Sequence, residues 1–94
     1  MREYEYVFIV HPDLDENAFK ELVEKVKGWI TGAGGQVLKV ELWGRRRLAY
    51  PIRKQTEGQY VQMNTMIAPA YSAEFERNIR FTEPVLRYLV TVKN

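Results

Sequence analysis

The stretch REYEYVFIVHPDLDENAFKELVEKVKGWITGAGG, residues 2–35, decides the fold. Its first nine residues alternate. Tyr4, Tyr6, Phe8 and Val10 fall on one side and Glu3, Glu5, Val7 and Ile9 on the other, the period of a strand whose even face points inward. After His11 and Pro12 the period changes. Asp15 stands where a helix N-cap would, Leu14 and Phe19 have the spacing of a hydrophobic staple, and Phe19, Leu22, Val23, Val26 and Ile30 form one apolar stripe. Gly32, Gly34 and Gly35 then stop the helix.

From there the chain is extended again. Val37–Leu48 is rich in Val and Leu, and at about 3.3 Å per residue it spans roughly 40 Å, so this second strand should outreach its sheet. Ala49–Gly58, with Pro51 and Gly58, reads as a loop, and Gln59–Ile67 alternates as a third strand. A second helix is expected from near Pro69, with Tyr71, Phe75 and Ile79 at four-residue spacing. Pro84 ends it, and Val85–Val92 forms a fourth strand with Leu86, Tyr88, Val90 and Val92 on one side. The order βαββαβ predicts an α+β, ferredoxin-like sandwich: a four-stranded antiparallel sheet with two helices on one face and the other face open.

With 94 residues, 46% of them hydrophobic and 28% charged, residues 1–94 make a single domain with one core, and disorder is excluded. The absence of cysteine removes disulfides, thiolate nucleophiles and thiolate metal sites, and a lone histidine cannot build a multi-histidine one. This fits a reducing cytoplasm. The apolar run Tyr6–Val10 is too short for a signal peptide or a membrane span, so no membrane partner is expected. The net charge of +2 predicts no partner by itself, but its distribution does. Residues 1–35 hold four basic and seven acidic side chains, residues 36–94 ten and five.

The densest signal is Arg45, Arg46, Arg47, Arg53 and Lys54, with no acid between them and with Trp43 and Tyr50 flanking or interrupting the run. Arginine forks grip phosphate oxygens and aromatic rings stack on exposed bases, so this mixture suits structured RNA. A solvated strand end whose charges deter edge pairing is the competing reading. Regular pairing would send Arg45 and Arg47 to one side and Arg46 to the other.

Other motifs carry less. Asp13, Asp15, Asn17 and Glu24 match calcium-loop places, but Ala18 stands where the sharp turn needs glycine, so no metal is expected. Gly32–Gly35 follows a helix, whereas a phosphate cradle would follow a strand and open one. Neither His11 nor Ser72 has the partner that proton transfer or nucleophilic attack requires. No cofactor or small-molecule substrate is implied. The element order also suits an RNA-recognition motif, but GQYVQMNT, residues 58–65, lacks its stacking pattern apart from Tyr60.

The block WGRRRLAYPIRKQTEGQYV, residues 43–61, resembles small-subunit ribosomal protein six of bacteria, and the likeness extends over nearly the whole chain through MREYEYVFIVHPDLDE and EPVLRYLVTVK. The resemblance implies a non-catalytic ribosomal protein that binds the central domain of small-subunit ribosomal RNA together with small-subunit ribosomal protein eighteen. It carries an RNA or partner role to Arg46, Arg47 and Tyr50. Arg2, Arg45, Arg53 and Lys54 join them on charge and proximity. Two other classes share the fold. An acylphosphatase-like hydrolase would need an anion cradle where this chain has the acidic HPDLDE, and a small-ligand regulatory domain would pair through Val7, Ile9 and Tyr60 on the open face.

Overall fold

The computed structural model describes residues 1–93. The strands are β1 (Arg2–Val10), β2 (Gln36–Ile52), β3 (Gln55–Ile67) and β4 (Val85–Lys93), and the helices are α1 (Glu16–Gly32) and α2 (Pro69–Arg80). One antiparallel sheet has the order β2-β3-β1-β4. This is the ferredoxin-like βαββαβ sandwich.

The even face of β1 supplies the centre of the core. Tyr4, Tyr6, Phe8 and Val10 are buried with Phe19, Val26 and Ile30 of α1 and Phe75 and Ile79 of α2. Tyr6 meets Phe75 edge to face at 5.0 Å between ring centres, a geometry that aligns the positive ring edge with the negative face. Asp15 caps α1 by accepting from the backbone N–H of Ala18 at 2.8 Å. At the other end Gly34 takes φ +81, and the N–H groups of Gly35 and Gly34 donate to the carbonyls of Ile30 and Thr31. This double closure satisfies carbonyls the helix leaves open, and glycine takes the left-handed turn at no steric cost.

The second helix corrects its expected stripe. Phe75 and Ile79 are buried, but Tyr71 is exposed and Ser72 takes the inward place. Ser72 belongs there because its hydroxyl meets the buried Tyr6 hydroxyl at 2.9 Å and donates to Glu76 at 3.1 Å. Burial pushes the Tyr6 phenol up to about 12, with the Ser72 hydrogen bond opposing in part.

Residues 49–58 are not a loop. β2 runs on through Tyr50 and Pro51 to Ile52, and β3 begins at Gln55, leaving only Arg53 and Lys54 as the turn. Pro51 is tolerated because β2 is an edge strand. Both turn residues have positive φ, 49° and 65°. Two-residue hairpins want that backbone to match strand twist, but usually fill it with Asn and Gly. Arginine and lysine there cost of order 1 kcal/mol each.

The register of β2 on β3 slips between Val37 and Lys39, between Leu42 and Gly44, and between Arg47 and Ile52. Each slip inserts unpaired residues in β2, which bends the bulged strand and raises its twist. The hairpin arm beyond the end of β1 therefore curls over the sheet's open face, where Leu48 is buried against Ile9 and Leu86, with Ile52 and Tyr60 packed alongside. A bulge in β4 opposite Ile9 and Val10 turns Leu86 toward this second cluster, while Val85 and Tyr88 face the main core. The expectation that Leu86 shares a side with Tyr88 is thus corrected.

Candidate nucleic-acid interface

The arginine-rich segment lies on the overhanging part of the β2–β3 hairpin. β1 ends opposite Gln59, so Arg46, Arg47 and the turn stand beyond the sheet's centre strand. Arg45, Arg46 and Arg47 pair regularly with Gln59, Gly58 and Glu57, and they alternate across the strand as expected.

Arg45 is committed to the fold. Its Nη2 donates to the Pro12 carbonyl at 2.6 Å, and its guanidinium lies 3.9 Å from Asp13 and 3.4 Å from Glu57. Beside it, the Gln59 amide donates to the carbonyls of His11, Pro12 and Leu14. The β1–α1 connection therefore presents carbonyls to donors from β2 and β3, the reverse of the N–H cradle that an acyl phosphate would need. His11 itself is a turn residue: its Nδ1 accepts from the N–H of Asp13, and its own N–H donates to Pro84.

Arg53 is also anchored, in a way the sequence does not reveal. Its two terminal nitrogens donate to the carbonyls of Glu83 and Val85, each at 2.9 Å. This clamp ties the hairpin tip to the start of β4 and offsets the strained backbone of the turn. Charge-supported hydrogen bonds of this kind contribute about 1.5–3 kcal/mol each when buried and less at an exposed guanidinium.

Arg46, Arg47 and Lys54 are exposed, and among the described residues none has an ion-pair partner. Arg46 lies over the Trp43 ring at 5.0 Å, and Trp43 in turn stacks on Tyr60 at 6.1 Å and 12°. The Trp43 bulge, with Gly44 at φ +83, brings those rings together on the open face. Tyr50 is half exposed and accepts a hydrogen bond from Arg87, whose guanidinium also covers its ring at 5.3 Å. Arg87 is thus a member of the cationic surface that linear sequence misses, since only the folding of the hairpin arm onto the open face brings Tyr50 to β4. Arg2 stands apart: it pairs with Ile67 at the opposite end of β1 from Val10 and Gln59.

The open face nearer the sheet's centre is mixed in charge. Lys39 bridges Glu41 at 3.2 Å and Lys93 bridges Glu5 at 3.4 Å. The Lys39 hydrogen bond, then that of Trp43, holds the Glu41 carboxyl below its usual range. Acids there would repel a phosphate backbone, which concentrates any RNA contact on the hairpin. No helix among the described residues is long and apolar enough to cross a membrane, and no group of three potential metal-ligating side chains occurs among them.

Comparison with known proteins agrees with this architecture. The family model described as Ribosomal protein S6 matches residues 3–92. A small ribosomal subunit protein bS6 from Clostridium novyi is 49% identical over 90 residues, covering 96% of this chain and 95% of the relative. One of the same name from Caldanaerobacter subterraneus subsp. tengcongensis is 47% identical over 90 residues, covering 96% and 95%. Among solved structures, 30S ribosomal protein S6 from Thermotoga maritima superposes with a TM-score of 0.92 at 33% identity, covering 98% of this chain and 87% of that one. With a near full-length family match and relatives this similar, the chain belongs to the ribosomal protein S6 family.

Proposed function

We propose that this chain is a structural, non-catalytic constituent of the small ribosomal subunit in the cytoplasm. It binds the central domain of small-subunit ribosomal RNA jointly with small-subunit ribosomal protein eighteen. The observation that carries the RNA part is the group Arg46, Arg47 and Lys54, exposed without ion-pair partners among the described residues on a hairpin that overhangs the sheet. Arg46, Arg47 and Lys54 neutralise phosphates, and the half-exposed Tyr50 lies on the same hairpin. Arg45 and Arg53 add field while holding the hairpin in place, and Arg2 contributes at the far end.

Phosphate neutralisation releases counterions and fixes orientation, while specificity comes from RNA shape and from the protein partner. A net charge of only +2 makes lone binding weak, and the acids elsewhere on the chain oppose approach. A basic partner removes that deficit by sharing the surface. Reconstitution of small subunits with and without the chain tests this reading. Particles lacking it should show reduced occupancy of protein eighteen and a less ordered central domain; equal composition and shape in both preparations contradicts it.

A further inference from the structure

A second cationic feature lies where the hairpin tip meets the start of β4. A cleft of about 190 Å³ is lined by Arg53, Ile79, Arg80, Val85, Leu86, Arg87 and Tyr88. Three of its walls are arginines from three separate elements, the β2–β3 turn, the last turn of α2 and β4, and no carboxylate lines it. Each arginine is tethered through part of its guanidinium. Arg53 donates to the Glu83 and Val85 carbonyls, Arg80 to the Tyr88 hydroxyl at 3.4 Å, and Arg87 to the Tyr50 hydroxyl.

The carbonyl end of α2 is no place for an anion unless cations outweigh it. Here three arginines and no carboxylate line the cleft, and a guanidinium carries five N–H donors, so each tethered arginine keeps donors for a ligand. Tethering also lowers the entropy lost on binding. Glu76 accepts from the Tyr88 hydroxyl but does not line the cleft.

We infer that Arg53, Arg80 and Arg87 form a phosphate-binding cleft, and that its ligand is a phosphodiester of the RNA whose neighbouring phosphates meet Arg46, Arg47 and Lys54. The RNA source rests on the function proposed above; the anion site stands on its own geometry. Phosphate contacts then continue from the hairpin through Arg53 to the start of β4.

Two measurements separate the anion site from its RNA source. The first is a titration of the full chain, labelled with nitrogen-15, with inorganic pyrophosphate, following arginine Nε–H resonances. Saturable shifts of Arg53, Arg80 and Arg87 in the wild type, with the Arg53 shift lost in an Arg80→Gln/Arg87→Gln double variant, are expected; shifts spread evenly over all exposed arginines, or none, overturn the cleft. Both positions are exposed, and an unchanged amide fingerprint verifies that the variant is folded. The second is binding to a central-domain RNA fragment, with protein eighteen present, across a salt series. Loss of one phosphate contact lowers the slope of log K against log salt by about 0.7–0.9. A reduced slope in the double variant identifies RNA as the source. An unchanged slope with pyrophosphate binding intact rejects RNA there and leaves a free anion as the ligand. If wild-type binding has no salt dependence, the broader RNA reading fails instead.

Discussion

Gly58 lies against Ile9 so closely that a β-carbon at position 58 would sit 2.5 Å from the Ile9 Cγ2 and 3.6 Å from the Leu48 Cδ2. The hairpin arm can fold onto the open face because this position has no side chain. Gly58→Ala should therefore push the arm outward, at a cost of about 1–3 kcal/mol as for other overpacked sites. Denaturant unfolding checks the cost, and amide exchange across residues 48–58 should quicken. Unchanged stability and exchange would mean the arm is not held by that packing.

The Tyr6 hydroxyl ties β1 to α2 through Ser72. Because its pKa is raised from 10.0 to about 12 on folding, the protonated phenol is favoured in the native state. That stabilisation is complete below pH 10 and is lost as pH rises through 10 to 12, at up to about 1.4 kcal/mol for each pH unit crossed. Tyr6→Phe should cost about 1 kcal/mol at neutral pH through the lost hydrogen bond. It should also flatten the decline between pH 10 and 12. A variant whose alkaline decline matches wild type would remove Tyr6 as its source.

Thr65 is fully buried, and its hydroxyl is the one buried side-chain oxygen that finds no partner among the described residues. An unpaired buried hydroxyl costs about 1–3 kcal/mol, and valine fills nearly the same volume with a methyl. Thr65→Val should raise unfolding stability by up to about 1 kcal/mol, once imperfect repacking is allowed for. A loss in thermal or urea unfolding would show that the hydroxyl is satisfied in solution.

The sequence made most of the sandwich legible because its main signals are local. The even face of β1, the Asp15 cap and the glycine stop of α1 each depend on neighbours a few residues away, and each stands as read. The hairpin escaped because its determinants are distant. Pro51 and Gly58 look like loop residues, yet Pro51 is accommodated by an edge strand and Gly58 by close approach to Ile9. The actual turn, Arg53–Lys54, has no glycine or asparagine to announce it; its left-handed backbone is held partly by carbonyls some 30 residues away in sequence. The same distance hid Arg80 and Arg87, and it hid the division of the arginine run into Arg45 and Arg53, which grip the fold, and Arg46 and Arg47, which do not.

In the proposed function, cations on the overhanging hairpin neutralise phosphates of folded small-subunit RNA. The decisive comparison is the salt dependence of binding for wild type and an Arg46→Ala/Arg47→Ala variant, measured on the central-domain fragment in the presence of protein eighteen. The variant should bind more weakly at every salt concentration, with the slope of log K against log salt reduced by roughly 1.4–1.8 for two lost phosphate contacts. Equal affinity and equal slope for the two proteins would contradict phosphate neutralisation by the hairpin.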